Sequence, residues 1–148
     1  LEHILEKSRI RVAQNMGALP VDYEEAELLI RQKKLRKELN GSALVAMMRV
    51  NKHTAFMIGL ADMTGVDFDT IRRIVTAKDL DGLATICRAS DLERPLFVTL
   101  CVLLGGGERA MGQAEAYGRM YLDIPVDAAR RAMRFWRVRK TTTKTAAA

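Results

Sequence analysis

The 148-residue sequence predicts an all-α fold. Three observations carry that expectation. Apolar residues recur at helical spacing in one segment after another, while the apolar–polar alternation of half-buried strands is nearly absent. Aromatic residues make up only 5% of the chain, and the unbranched side chains of Ala, Leu, Met and Arg, which lose little rotamer freedom in a helix, are common. Caps and stops punctuate the pattern at short intervals. A hydrophobic content of 49% supplies a core and argues against wholesale disorder. The length suits one helical domain over residues 1–140, with "TTTKTAAA" at 141–148 as a flexible tail.

The elements are expected in the following order. Residues 1–15 carry Ile4, Leu5, Ile10 and Val12 on a helical pattern that "GALP" breaks at Pro20. Asp22 caps the next helix. Glu24, Glu25 and Glu27 lie in its first turn and Lys33, Lys34, Arg36 and Lys37 in its last, which complements the helix dipole. "NGS" at 40–42 is a stop followed by a new cap, so Ser42–Val50 and His53–Thr64 follow, able to join as one bent helix. Gly65 stops the chain and Asp67 caps Phe68–Ala77. Asp79 or Asp81 caps Gly82–Ala89, and Asp91 precedes Glu93–Leu104. "GGG" at 105–107 is a loop. Residues Arg109–Leu122 form a weaker helix interrupted by Gly112 and Gly118. Pro125 occupies the first position of a last helix running to about Arg139.

"GLADMTGV" at 59–66 echoes "GLATICRASDL" at 82–92: a helix end, an acidic turn, then an apolar helix. The spacing is that of stacked helical hairpins, HEAT-like or α-solenoid-like up to a C-terminal amphipathic helix. The stretch "GLADMTGVDFDTIRRIV" also has the outline of a helix-turn-helix, with Thr70, Arg72 and Arg73 as candidate nucleic-acid contacts. Its chemistry is unfavourable, because Asp67 and Asp69 would meet the phosphates at closest approach.

The net charge of +6 is concentrated at one end of the chain. From Val126 onward there are seven positive residues against Asp127 alone, and positive and negative charges balance over the remainder. Arg130, Arg131, Arg134 and Arg137 fall on one face of the last helix, with Arg139 and Lys140 following. Val126, Ala129, Ala132, Met133 and Trp136 fall on the packing face. A row of arginines suits bidentate pairing with carboxylates or phosphates. The expected partner is an acidic protein surface or a phosphate-bearing molecule. Nucleic acid is the alternative, and self-association into a homo-oligomer is compatible with either.

Other constellations are weaker. His3 and His53 lie far apart and have no ligand-type neighbour at a metal spacing. His53 is expected at a helix start or on the surface. "GGGERAMG" lacks the strand before it and the Lys-Ser/Thr after it that a phosphate-binding loop needs. Met47, Met48, Met57 and Met63 cluster as adaptable core filler. Cys87 and Cys101 sit in apolar helical surroundings and are expected to be reduced core residues. The longest apolar run, "PLFVTLCVLLGGG", is too short to span a bilayer, for which about 20 residues are needed. No catalytic constellation, metal site or cofactor is expected, and a non-enzymatic, cytoplasmic interaction or regulatory module fits best.

"GLADMTGVDFDTIRRIV", "DGLATICRASDLERPLFVTLCVLL" and "AARRAMRFWRVR", in that order, resemble the C-terminal part of a bacterial domain-of-unknown-function family with HEAT-like helical repeats. The resemblance runs from about Ala43 to Arg139. It implies an all-α, repeat-like fold and a cytoplasmic setting. It assigns no reaction, cofactor or catalytic residue. The longer N-terminal repeat region of such proteins, with any binding surface on it, is expected to be missing here.

Overall fold

A computed structural model of the chain describes residues 19–106 and 108–135. The first expected helix, the tail at 141–148, His3, Trp136, Arg137, Arg139 and Lys140 lie outside them. The described residues form helices α1 (Tyr23–Leu35), α2 (Gly41–Arg49), α3 (His53–Thr64), α4 (Phe68–Thr76), α5 (Leu80–Ala89), α6 (Arg94–Gly105), α7 (Glu108–Met111), α8 (Ala114–Asp123) and α9 (126–135), with no strand among them. The all-α expectation holds.

The helices pack around α3. Residues Thr54–Leu60 are buried without a break, and Thr64 is buried at the far end. A helix that is apolar on every side belongs in the interior. Accordingly α3 touches α1 and α2 before it and α4 and α5 after it. The second hub is α6, which contributes Phe97, Leu100 and Cys101 to the core and packs on α2, α5, α7 and α8. Met47, Met48 and Met57 are buried in this core, and Met63 packs against it. The methionines therefore fill space, as expected. The two "GLA" units occupy different places: Gly59 is mid-helix in α3, whereas Gly82 lies in the first turn of α5.

Local chemistry explains most boundaries. The Asp67 carboxylate accepts from the Thr70 amide (3.2 Å) and caps α4. The Asp79 carboxylate accepts from the Gly82 amide (3.0 Å), which settles the choice between Asp79 and Asp81. Two expected caps are corrected. The cap of α2 is Asn40, whose side chain accepts from the Ala43 amide at 2.9 Å, so the helix starts at Gly41 and Ser42 lies inside it. Asp22 precedes α1 but makes no capping bond; its carboxylate accepts from the Thr54 hydroxyl at 2.8 Å and so ties the start of α1 to α3.

The helix ends share a device. Lys37, Asn51, Lys78 and Asp91 all have positive φ, between 53° and 60°. After each, the next amide reaches back five residues: Glu38 to the Lys33 carbonyl, Lys52 to Met47, Asp79 to Ile74 and Leu92 to Cys87. This is the Schellman closure, in which a left-handed residue satisfies the last free carbonyls. It separates α2 from α3 at Asn51, so the two are distinct helices rather than one bent helix. Among the described residues, two helices close on glycine instead, α3 at Gly65 (φ 75°) and α6 at Gly106 (φ 62°).

Two further boundaries differ from expectation. Gly105 is the last residue of α6, not a loop residue, and a Cβ there would lie 2.8 Å from that of Ala110. Its bare backbone lets α7 turn back closely. The weak helix over 109–122 breaks only at Gly112–Gln113, because α8 runs through a buried Gly118. At the last helix, the Pro125 carbonyl accepts from the Ala129 amide (3.0 Å), so Pro125 stands immediately before α9 rather than inside it.

Candidate interaction surface

The basic residues of α9 depend on how that helix is seated. Ala129 and Met133 are buried, at 1% and 3% exposure. Arg130, Arg131 and Arg134 face outward. At about 100° per residue these three share one side of the helix. Asp127, also exposed, lies on that side, in the first turn where an acid complements the helix dipole.

The seat is built from the turn between α5 and α6 and the end of α8. Tyr121, 1% exposed, stacks on Phe97 with ring centroids 4.7 Å apart and planes 17° from parallel. Its hydroxyl donates to the Leu92 carbonyl. Burial holds that phenol well above its ordinary pKa, so it is a neutral donor. The Arg88 guanidinium lies 5.4 Å from the centroid of the same ring, and its Nε donates to the Ile124 carbonyl at 3.0 Å. These contacts fix the residues leading into α9.

Arg130 is partly committed to this seat. Its Nη2 lies 2.9 Å from Asp91 Oδ2. Among the described residues no carboxylate pairs with Arg131 or Arg134. The expected row of arginines therefore divides into one that anchors the helix and two that face solvent. The remaining members of the row, Arg137, Arg139 and Lys140, lie outside the described residues.

The helix-turn-helix candidates are placed differently. The Thr70 hydroxyl donates to Asp67 Oδ1 at 2.7 Å and accepts a longer bond (3.4 Å) from Arg73. Arg72 pairs with Asp69 at 2.9 Å and lies over the Phe68 ring, 5.4 Å from its centroid. Its side chain is only 20% exposed. Phe68 in turn meets Tyr23 edge-on at 5.1 Å. Thr70 and Arg72 are thus drawn into a local cluster where α1 and α4 begin, and Arg73 is the exposed member.

The other sequence candidates resolve simply. His53 is exposed at the first position of α3. Cys87 and Cys101 are buried free thiols, and burial raises both pKa values, that of Cys101 to about 12. Among the described residues no three His, Cys, Asp or Glu side chains gather as a metal set. None of the described helices is long and apolar enough to cross a membrane.

Fold and surface together define an all-helical domain that closes on a partly basic helix. By its sequence the chain belongs to the bacterial family described as "Uncharacterised protein conserved in bacteria (DUF2336)", whose model matches residues 1–134. The match begins well before Ala43, so the family likeness takes in α1, α2 and the residues ahead of them as well as the stretches that first suggested it. Comparison with curated proteins and with solved structures gave no match.

Proposed function

We propose that this domain is a non-enzymatic interaction or regulatory module whose α9 face binds an acidic protein surface or a phosphate-bearing partner. One observation carries this: Arg131 and Arg134 stand exposed on the outer side of a helix held down by Ala129 and Met133. A guanidinium on a seated helix has less freedom to lose when it binds a carboxylate or phosphate in two-pronged fashion. The same proposal includes HEAT-like stacking, supported by the succession of short helices and tight turns, and a cytoplasmic setting, supported by two reduced, buried thiols.

The test is retention of the full chain on beads carrying poly-glutamate or a phosphoserine peptide. Arg131→Glu with Arg134→Glu should abolish retention while leaving the helical circular dichroism unchanged. Undiminished retention would sink the proposal. A gel shift at two salt concentrations tests the alternative, nucleic-acid binding through Thr70, Arg72 and Arg73. True phosphate contacts weaken steeply with salt, and Arg72→Ala with Arg73→Ala should then weaken the shift more than the α9 changes do.

A further inference from the structure

Helix α1 buries Ala26 and Ile30 on one side and leaves Leu28 and Leu35 exposed on the opposite side, at 53% and 80%. Val21, just before the helix, is 89% exposed. The three are spaced by seven residues, the repeat with which one helix meets another along a seam. Singly exposed aliphatics are ordinary, but a row of them on the side facing away from the core is a surface suited to a partner.

The residues flanking the row define that partner. At about 100° per residue, Glu24 and Arg31 flank Leu28 on one side and Glu25 and Gln32 on the other. In each flanking pair the acid is N-terminal to Leu28 and its companion C-terminal. A second α1 laid antiparallel, with Leu28 against Leu28, brings Glu24 opposite the partner copy's Arg31. It also brings Glu25 opposite that copy's Gln32, and Val21 opposite Leu35. A parallel pairing would instead set Glu24 against the partner copy's Glu25, acid against acid, and Arg31 against its Gln32. The pattern is self-complementary under one two-fold operation, which is what an isologous dimer requires.

We infer that two copies of this chain associate through antiparallel α1 helices centred on Leu28. Arg31 pairs with Glu27 of its own helix at 2.7 Å, on the side turned from Leu28, so the guanidinium must turn from Glu27 to meet the partner copy's Glu24. A concavity of about 360 Å³ between α1 and Asn51–Lys52 borders Leu28 and gives a partner side chain room. This surface involves no residue of the α9 face, so either proposal can fail without the other.

Sedimentation velocity of the full chain across a concentration series provides the test. Wild type should show a monomer–dimer equilibrium. Leu28→Glu, at an exposed position where folding is unaffected, should be monomeric throughout with unchanged circular dichroism. Glu24→Arg and Arg31→Glu should each weaken the dimer at least tenfold, and the double exchange should restore it, since the opposed charges are then merely swapped. A wild type that stays monomeric at every concentration overturns the inference and points to residues 1–18 of the same chain as the cover. A dimer indifferent to Leu28→Glu, or single charge variants that the exchange does not rescue, overturns it equally.

Discussion

Arg130 reaches Asp91 across 39 residues of sequence, Nη2 to Oδ2 at 2.9 Å, and joins the final described helix to the turn between α5 and α6. Both side chains are well exposed, so the pair contributes at most about 1 kcal/mol to stability. Its larger effect is on which charges the α9 face presents. Asp91→Asn, which tolerates the left-handed φ of 58° as aspartate does, should release Arg130 and strengthen retention on an acidic or phosphorylated bead, while urea denaturation shifts by less than about 1 kcal/mol. Weaker retention in this variant would mean that Arg130 serves the surface only when Asp91 holds it.

Tyr121 should prove the more important support. Tyr121→Phe keeps the stack on Phe97 but leaves the Leu92 carbonyl without its phenol donor. A cost of about 1–2 kcal/mol is expected in urea denaturation. Tyr121→Ala should cost about 3–5 kcal/mol, because it also empties a fully buried ring site. A phenylalanine variant as stable as wild type would show that the hydroxyl bond adds nothing net.

Lys78 offers a gain. It holds φ 53° without being glycine and closes α4. A left-handed conformation costs an L-residue roughly 1–2 kcal/mol, and glycine is free of that penalty. Glycine also loses more chain entropy on folding, so Lys78→Gly should raise stability by up to about 1 kcal/mol, measured by thermal melting. Gly65→Ala, at φ 75°, should do the reverse. A destabilised Lys78→Gly variant would mean that the lysine side chain makes a compensating contribution.

The thiols should make stability depend on alkaline pH. Cys101 is pushed up to about 12 from an ordinary 9.0, and Cys87 is raised in the same direction, by burial first and by the neighbouring Cys101 second. Between these limits the folded chain keeps thiol protons that the unfolded chain has lost. Stability is then fully present below pH 9 and falls as pH rises toward 12. Native protein at neutral pH should react with a thiol reagent only as fast as it opens, and both sites should react at once in denaturant. Immediate native reaction of either cysteine would contradict its burial.

How much of this was legible in the sequence depended on the distance over which each choice is made. Gly65, Asp67 and Asp79 announce a stop and two caps through chemistry confined to three or four residues, and they perform those tasks. Asn40 and Ser42 are equally good caps by type. Asn40 serves, and Gly41 after it lies close against the Leu96 side chain of α6, a neighbour far along the chain. Lysine gives no sign of left-handed backbone, so the closures at Lys37 and Lys78 were hidden, and Asn51 was hidden among polar neighbours. On α9 the periodicity picked out the arginine face. It could not show that Arg130 was already engaged, because Asp91 belongs to a turn that only the tertiary fold brings near. The outline of a helix-turn-helix was equally visible, but the inward pull of Asp67, Asp69 and Phe68 on Thr70 and Arg72 became plain only in three dimensions.

The position of α3 also bears on how the chain is made. It emerges from the ribosome after α1 and α2 but before α4 and α5, whose side chains complete its surroundings. Until the buried residues of α4 and α5, Ile71, Ile74, Leu83 and Ile86 among them, have been synthesised, an almost wholly apolar helix waits with part of its surface bare. The nascent chain is therefore most vulnerable to misassociation between the synthesis of Thr54 and that of Ala89. A stall or truncation in that interval should yield insoluble product.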